Sequence, residues 1–245
     1  MTEQQQTPRY FYVNRRKPYV TYVLMGINIA VFLLVQVLKI TGMNENVVLL
    51  TLGAKENTLI TCGQYWRLLT ACFLHADFMH VLSNLIGLYF WGPTIEQLLG
   101  RMRYLIVYIA SGLMGSVFSY ALSRSWSVGA SGALFGIFGA LLYFRTRHKQ
   151  VFDRVFGMQV LVIIGINLVN GFISPGVDNL GHIGGLIGGF LSALSVGLFK
   201  EKPRWYQFLA ALGTLLLFAA LFLFGIFRWS AQLGIPPFTF IDLQF

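Results

Sequence analysis

Apolar and polar positions in this chain are sorted into long blocks instead of alternating. Seven stretches contain no Lys, Arg, Asp or Glu: 19–38, 78–95, 104–122, 126–144, 155–173, 179–199 and 205–227. A bilayer core about 30 Å thick is crossed by roughly 20 apolar residues in a helix, so each block predicts a membrane-spanning helix. The blocks are continuous, which argues against a transmembrane barrel and its alternating strands. The fold class expected is an all-α polytopic membrane protein with seven spans. The first block is preceded by Arg9, Arg15, Arg16 and Lys17, as a signal peptide would be. It is too long for a signal core and no small-residue cleavage site follows it, so it reads as a retained first helix.

Composition agrees with this reading. Hydrophobic residues make up 56% of the 245 positions and charged residues 11%, against about 25% charged in soluble domains. That excludes a free soluble globule, a disordered chain and a disulfide scaffold. The net charge of +9 suggests a polyanion partner until the basic residues are mapped. With the N-terminus in the cytoplasm, thirteen of the eighteen Lys and Arg fall inside, in the clusters at 9–17, 101–103, 145–154 and 200–204. Lys39, Lys55, Arg67, Arg124 and Arg228 fall outside. The asymmetry predicts N-terminus in and C-terminus out, and a nucleic-acid role is not expected.

One connection is long. Residues 39–77 lie outside the membrane in this topology, and a loop of that length is either functional or structured in its own right. It holds Trp66 and Arg67, an aromatic and basic pair suited to the headgroup region. Cys62 and Cys72 fall in or near it. A disulfide is permitted by compartment, but two unpaired small apolar residues is the preferred reading.

Three polar constellations break the apolar rule. His80 and Asn84 are four residues apart and share one face of the second helix. They fit interhelical glue as well as a hydrogen-bonding site. A metal reading through His75 and His80 is weak, because no HExxH and no third ligand accompany them. Ser131, within Gly129-Ala130-Ser131-Gly132, sits at the start of the fourth helix, where backbone N–H groups lack intrahelical partners and the helix dipole is positive. A plain N-cap serine is the alternative. His182 is the one titratable group in the sixth helix, on a stripe of Gly181, Gly185 and Gly189. Small residues at this spacing allow close helix contact. Gly132 and Gly136 offer a matching groove, and packing of the two surfaces would bring Ser131 to His182. Asp178 reads as the cap of the sixth helix, with orientation of His182 as the alternative.

In this order these residues resemble the rhomboid family of intramembrane serine proteases. The resemblance covers roughly residues 57–194. It rests on Gly129-Ala130-Ser131-Gly132, the His182 segment and the pair His80 and Asn84. Trp66-Arg67 is similar to the family's loop motif, and Glu96 to its acidic residue just after the second helix. The resemblance implies a six-helix catalytic domain at 19–199, after a cytoplasmic segment at 1–18. One additional helix with a short outer tail follows at 200–245. It also implies Ser131 as nucleophile and His182 as general base, with His80, Asn84 and the Ser131 N–H as the oxyanion hole. Phe135 stands where many members have Tyr packed on the catalytic histidine. No metal or cofactor is implied. The expected substrates are transmembrane segments of other membrane proteins, cut near the outer face in a cavity open to water. The fifth helix is the candidate gate. A prokaryotic plasma membrane is expected from the short N-terminus without an organelle-type presequence. A catalytically inactive relative that binds membrane clients is the alternative, and a channel or transporter a more distant one.

Overall fold

The computed structural model describes residues 17–174 and 176–240. Arg9, Arg15, Arg16, most of the 1–18 segment and the last five residues of the tail lie outside the described residues. The described chain is helical, apart from one isolated antiparallel bridge between Lys55 and Ser127. The order is α1 (Tyr19–Ile40), α2 (Glu45–Leu52), α3 (Asn57–Thr61), α4 (Arg67–Thr70), a 3-10 turn (Ala71–Phe73), α5 (Phe78–Leu99), α6 (Arg101–Leu122), α7 (Ser131–Arg147), α8 (Lys149–Val155), α9 (Gln159–Ile173), α10 (Asn179–Val196) and α11 (Trp205–Leu233).

Each apolar block holds a helix, with two differences of detail. The block at 126–144 becomes helical only at Ser131. Ser127 is committed to the bridge with Lys55, and Gly129 has φ +125°, a conformation that glycine adopts without steric cost. The block at 155–173 begins on the last residue of α8, and the chain turns by 73° before α9. Gly157, at φ +54°, lies in that turn. By length and composition, α1, α6, α10 and α11 can each cross a membrane. Counting α4 with α5, and α8 with α9, as bent spans raises the number to six. At 17 residues, α7 is the short one.

The centre of the bundle is α6, α7 and α10. A Cβ on Gly185 would run into the Gly132 backbone, and one on Gly189 into the Gly136 backbone. Hydrogen at these positions therefore lets α7 and α10 touch main chain to main chain. A second glycine face on α10 was not expected. A Cβ on Gly184 would strike Phe118, and one on Gly188 would strike Met114, both on α6. Thus α10 is wedged between two partners along two stripes.

The periphery is more varied. Glu96 lies within α5 and not after it, and it is 2% exposed. It accepts hydrogen bonds from Thr21 N at 2.8 Å and Thr21 Oγ1 at 2.9 Å, which fastens α1 to α5. The additional helix α11 packs on α6, where Trp229 Nε1 donates to Tyr120 O at 2.8 Å. By contrast, α9 buries only Val160, Ile164 and Gly171.

The long loop is built from α2, α3, α4 and the 3-10 turn. Trp66 is half exposed, but the expectation that Arg67 faces headgroups is overturned. Arg67 is 2% exposed and donates to Leu50 O at 2.6 Å, Ala54 O at 3.2 Å and Gln64 Oε1 at 2.7 Å. The physical reason is that the end of α2 and the turn after it present carbonyls that the helix does not satisfy, and a guanidinium carries five donors to reach them. Cys62 and Cys72 are both free and buried.

Candidate active site

The backbone just before Ser131 is held by two contacts. Gly129 N donates to Ala71 O at 2.9 Å. Ala130 N donates to His75 Nε2 at 3.5 Å, and His75 Nδ1 bonds Phe73 O at 3.2 Å. These partners require His75 to be the neutral Nδ1–H tautomer, a prop between two loops. Ser131 then opens α7, where its N–H is among those with no partner inside the helix.

On the other side, the Asp178 carboxylate accepts from Gly181 N at 3.0 Å and caps α10. Its backbone oxygen accepts from His182 N at 3.1 Å. Of the two readings of Asp178, the structure therefore has the cap. With the glycine stripes in contact, His182 Nε2 comes to 2.9 Å from Ser131 Oγ. The Phe135 ring lies stacked on His182, with centroids 4.3 Å apart. His182 Nδ1 is buried with no hydrogen-bond partner among the described residues, so no third group among them orients the imidazole through a hydrogen bond there.

His80 and Asn84 reach the same place from α5. Asp77 caps that helix through His80 N at 2.9 Å. A Cβ on Gly129 would stand 2.5 Å from His80 Nε2 and 3.7 Å from Asn84 Nδ2. Both side chains therefore lean over the glycine two residues before Ser131. Asn84 Nδ2 is buried and has no partner among the described residues, which leaves an amide donor available beside Gly129. The His75 ring braces His80 edgewise at 5.0 Å. A cavity lined by Ser116, Ser127, Gly129, Ser131, Asp178 and Gly181 adjoins the site. Among the described residues no group of three or more His, Cys, Asp or Glu could hold a metal ion.

Residues 62–199 match the family described as the rhomboid domain. The chain belongs to the rhomboid family. It is 41% identical over 217 residues to Rhomboid protease GluP of Bacillus subtilis (strain 168), covering 88% of this chain and 42% of that protein. It is 44% identical over 147 residues to RHOMBOID-like protein 7 of Arabidopsis thaliana, covering 59% of this chain and 46% of that protein. Rhomboid-like protease 1 of Toxoplasma gondii is 35% identical over 185 residues, covering 69% of this chain and 61% of that protein. The chain thus spans less than two thirds of the length of these relatives. As a rhomboid it is a multi-pass membrane protein.

The sequence left two partners undecided. One is Ala130 N, which donates to His75 Nε2. A histidine in an irregular stretch carries no periodic signal, and its partner is 55 residues away. The other is Ser125 O, which accepts from Lys55 Nζ. The sequence cue was a lone lysine in a turn rich in small and apolar residues.

Proposed function

We propose that this rhomboid is an intramembrane serine endopeptidase that cuts transmembrane segments of other membrane proteins. The observation that carries the reading is the 2.9 Å contact between Ser131 Oγ and His182 Nε2. A serine hydroxyl is a poor nucleophile until an adjacent base takes its proton. In the proposed cycle His182 Nε2 accepts that proton as Oγ attacks the scissile carbonyl carbon. The tetrahedral intermediate places negative charge on the former carbonyl oxygen. The donors offered to it are the Ser131 N–H, His80 and Asn84. His182 then gives its proton to the leaving amine. Water takes the place of the amine, and the same base activates it to hydrolyse the acyl-enzyme.

The topology that accompanies this reading has seven spans, α7 being the short one, with the N-terminus inside and the C-terminus outside. It places the dyad toward the outer face of a plasma membrane, and the similarity to the Bacillus subtilis protein favours a prokaryotic one. Hydrolysis needs water that the bilayer excludes. The cavity beside Ser131, lined in part by Ser116, Ser127 and Asp178, is suited to hold it. The sparse packing of α9 supports its role as the movable wall through which a substrate helix enters. Substrates with Gly or Pro near the scissile bond should be cut faster, since a helical amide is hydrogen-bonded and shielded.

The test uses a fluorophosphonate probe and a transmembrane reporter. The wild type should label at Ser131 and cleave the reporter. Ser131→Ala and His182→Ala should each remain folded and lose at least about 10³-fold in cleavage. Cleavage at the wild-type rate in either variant rejects the assignment.

A further inference from the structure

Outside the dyad, the most unusual titratable group is Lys55. It sits in the turn between α2 and α3 and is 0% exposed. Burying an ammonium is costly unless it is paired and hydrogen-bonded. Here Nζ donates to Ser125 O at 2.6 Å. The Lys55 main chain exchanges two 3.0 Å hydrogen bonds with Ser127. Next along the chain, Asn57 Nδ2 donates to Ser123 O at 2.8 Å. The 123–127 segment that leads into Ser131 is thereby stitched to the first loop, with the lysine at the centre.

The charge of Lys55 looks the other way. The groups that favour its ammonium form are Asp178, which has the larger effect, and its chain neighbour Glu56. Among the described residues no carboxylate makes an ion pair with it, so Asp178 acts across a gap. Asp178 is also the residue that caps α10 one turn before His182, and it lines the cavity beside Ser131. The segment that delivers the hydroxyl is thus held by a buried cation, and the carboxylate that caps the imidazole's helix favours that cation's charge.

We infer that Lys55 is a positioning residue, whose buried ammonium joins the Ser131 segment to the Asp178 cap and so keeps the hydroxyl and the imidazole in register. The inference rests on the reading of Ser131 and His182 as the dyad. Its energetic logic is that a misplacement of about 1 Å costs on the order of 10²-fold in rate. Burial lowers the Lys55 pKa to about 8, so the charge is present at neutral pH and lost on the alkaline side.

The experiment measures fluorophosphonate labelling of Ser131 and reporter cleavage across pH, on the full chain in liposomes. Wild type, Lys55→Met and Lys55→Arg are compared. Lys55→Met should label and turn over about ten- to a hundredfold more slowly, with KM changed by less than about twofold. Lys55→Arg should recover most of the rate. It should also abolish the alkaline decline near the lysine's pKa of about 8, because a guanidinium does not titrate there. A wild-type rate in Lys55→Met, or a Lys55→Arg as slow as Lys55→Met, overturns the inference. So does the same alkaline decline in wild type and Lys55→Arg. That last comparison decides alone if Lys55→Met does not fold. Absence of Ser131 labelling in the wild type overturns the dyad reading and this inference together. Labelling in the wild type with no effect of Lys55 overturns this inference only.

Discussion

Phe135 lies flat against His182, its ring plane 13° from parallel and the centroids 4.3 Å apart. Phe135 is one turn after Ser131 on α7, so the helix that presents the hydroxyl also supplies the surface on which the imidazole rests. With His182 Nδ1 unpartnered among the described residues, this ring is what holds the base at its angle. A stacked aromatic pair is worth about 0.5–1.5 kcal/mol beyond its buried area. Phe135→Ala should therefore lower kcat roughly three- to tenfold, and Phe135→Tyr should retain activity. Steady-state cleavage of a transmembrane reporter checks both. A Phe135→Ala enzyme at full rate means that the ring does not orient the base.

Asn84 offers a buried amide donor beside Gly129. Asn84→Ala should reduce kcat by about 10²-fold, the usual cost of one oxyanion donor, and leave the melting temperature close to wild type. It should remain more active than Ser131→Ala. Comparing kcat with KM separates a lost transition-state contact from lost substrate binding. A change confined to KM would place Asn84 in binding instead.

The contact between α7 and α10 has no room for a side chain. The atoms opposite Gly189 belong to the Gly136 backbone, which cannot swing away. Gly189→Val should destabilise the protein by about 1–3 kcal/mol or more and separate Ser131 from His182. On α11, a methyl group added at Gly213 would meet nothing within 4 Å, so Gly213→Ala should be neutral or slightly stabilising. Thermal melts in detergent read both, and equal melting temperatures for the two variants would contradict the packing argument.

Arg67 braces the first loop through three acceptors. Arg67→Ala leaves the Ala54 carbonyl unsatisfied and the Leu50 carbonyl with Gly53 N alone, at about 1–3 kcal/mol for a group that stays buried without a partner. The melting temperature should fall and the loop should become protease-sensitive. Arg67→Lys, without the planar fork, should recover only part of the loss. Unchanged stability in Arg67→Ala would return the residue to a lipid-facing role.

Much of the fold could be read from local pattern. Seven charge-free blocks became helices because each is long enough to satisfy its backbone internally while offering mostly apolar side chains. The spacing of Gly181, Gly185 and Gly189, matched by Gly132 and Gly136, announced a close helix contact. Ser131 at a helix start and His182 on that stripe followed from the same pattern. All of these are statements about neighbours within a turn or two.

What the sequence alone could not decide depends on pairs far apart in the chain. It marked Arg67 as polar, but only the folded loop brought it to the Leu50 carbonyl, 17 residues away. It placed Glu96 near a helix end, but only α1 packed alongside could turn that carboxylate toward Thr21, 75 residues away. It showed Lys55 in a loop, yet the Ser125 carbonyl that accepts its hydrogen bond is 70 residues distant. The dyad distance itself spans 51 residues. Hydropathy and helical periodicity are local properties of the chain, whereas a buried polar group is satisfied by whichever partner the packing brings to it, and that choice exists only once the helices are in place.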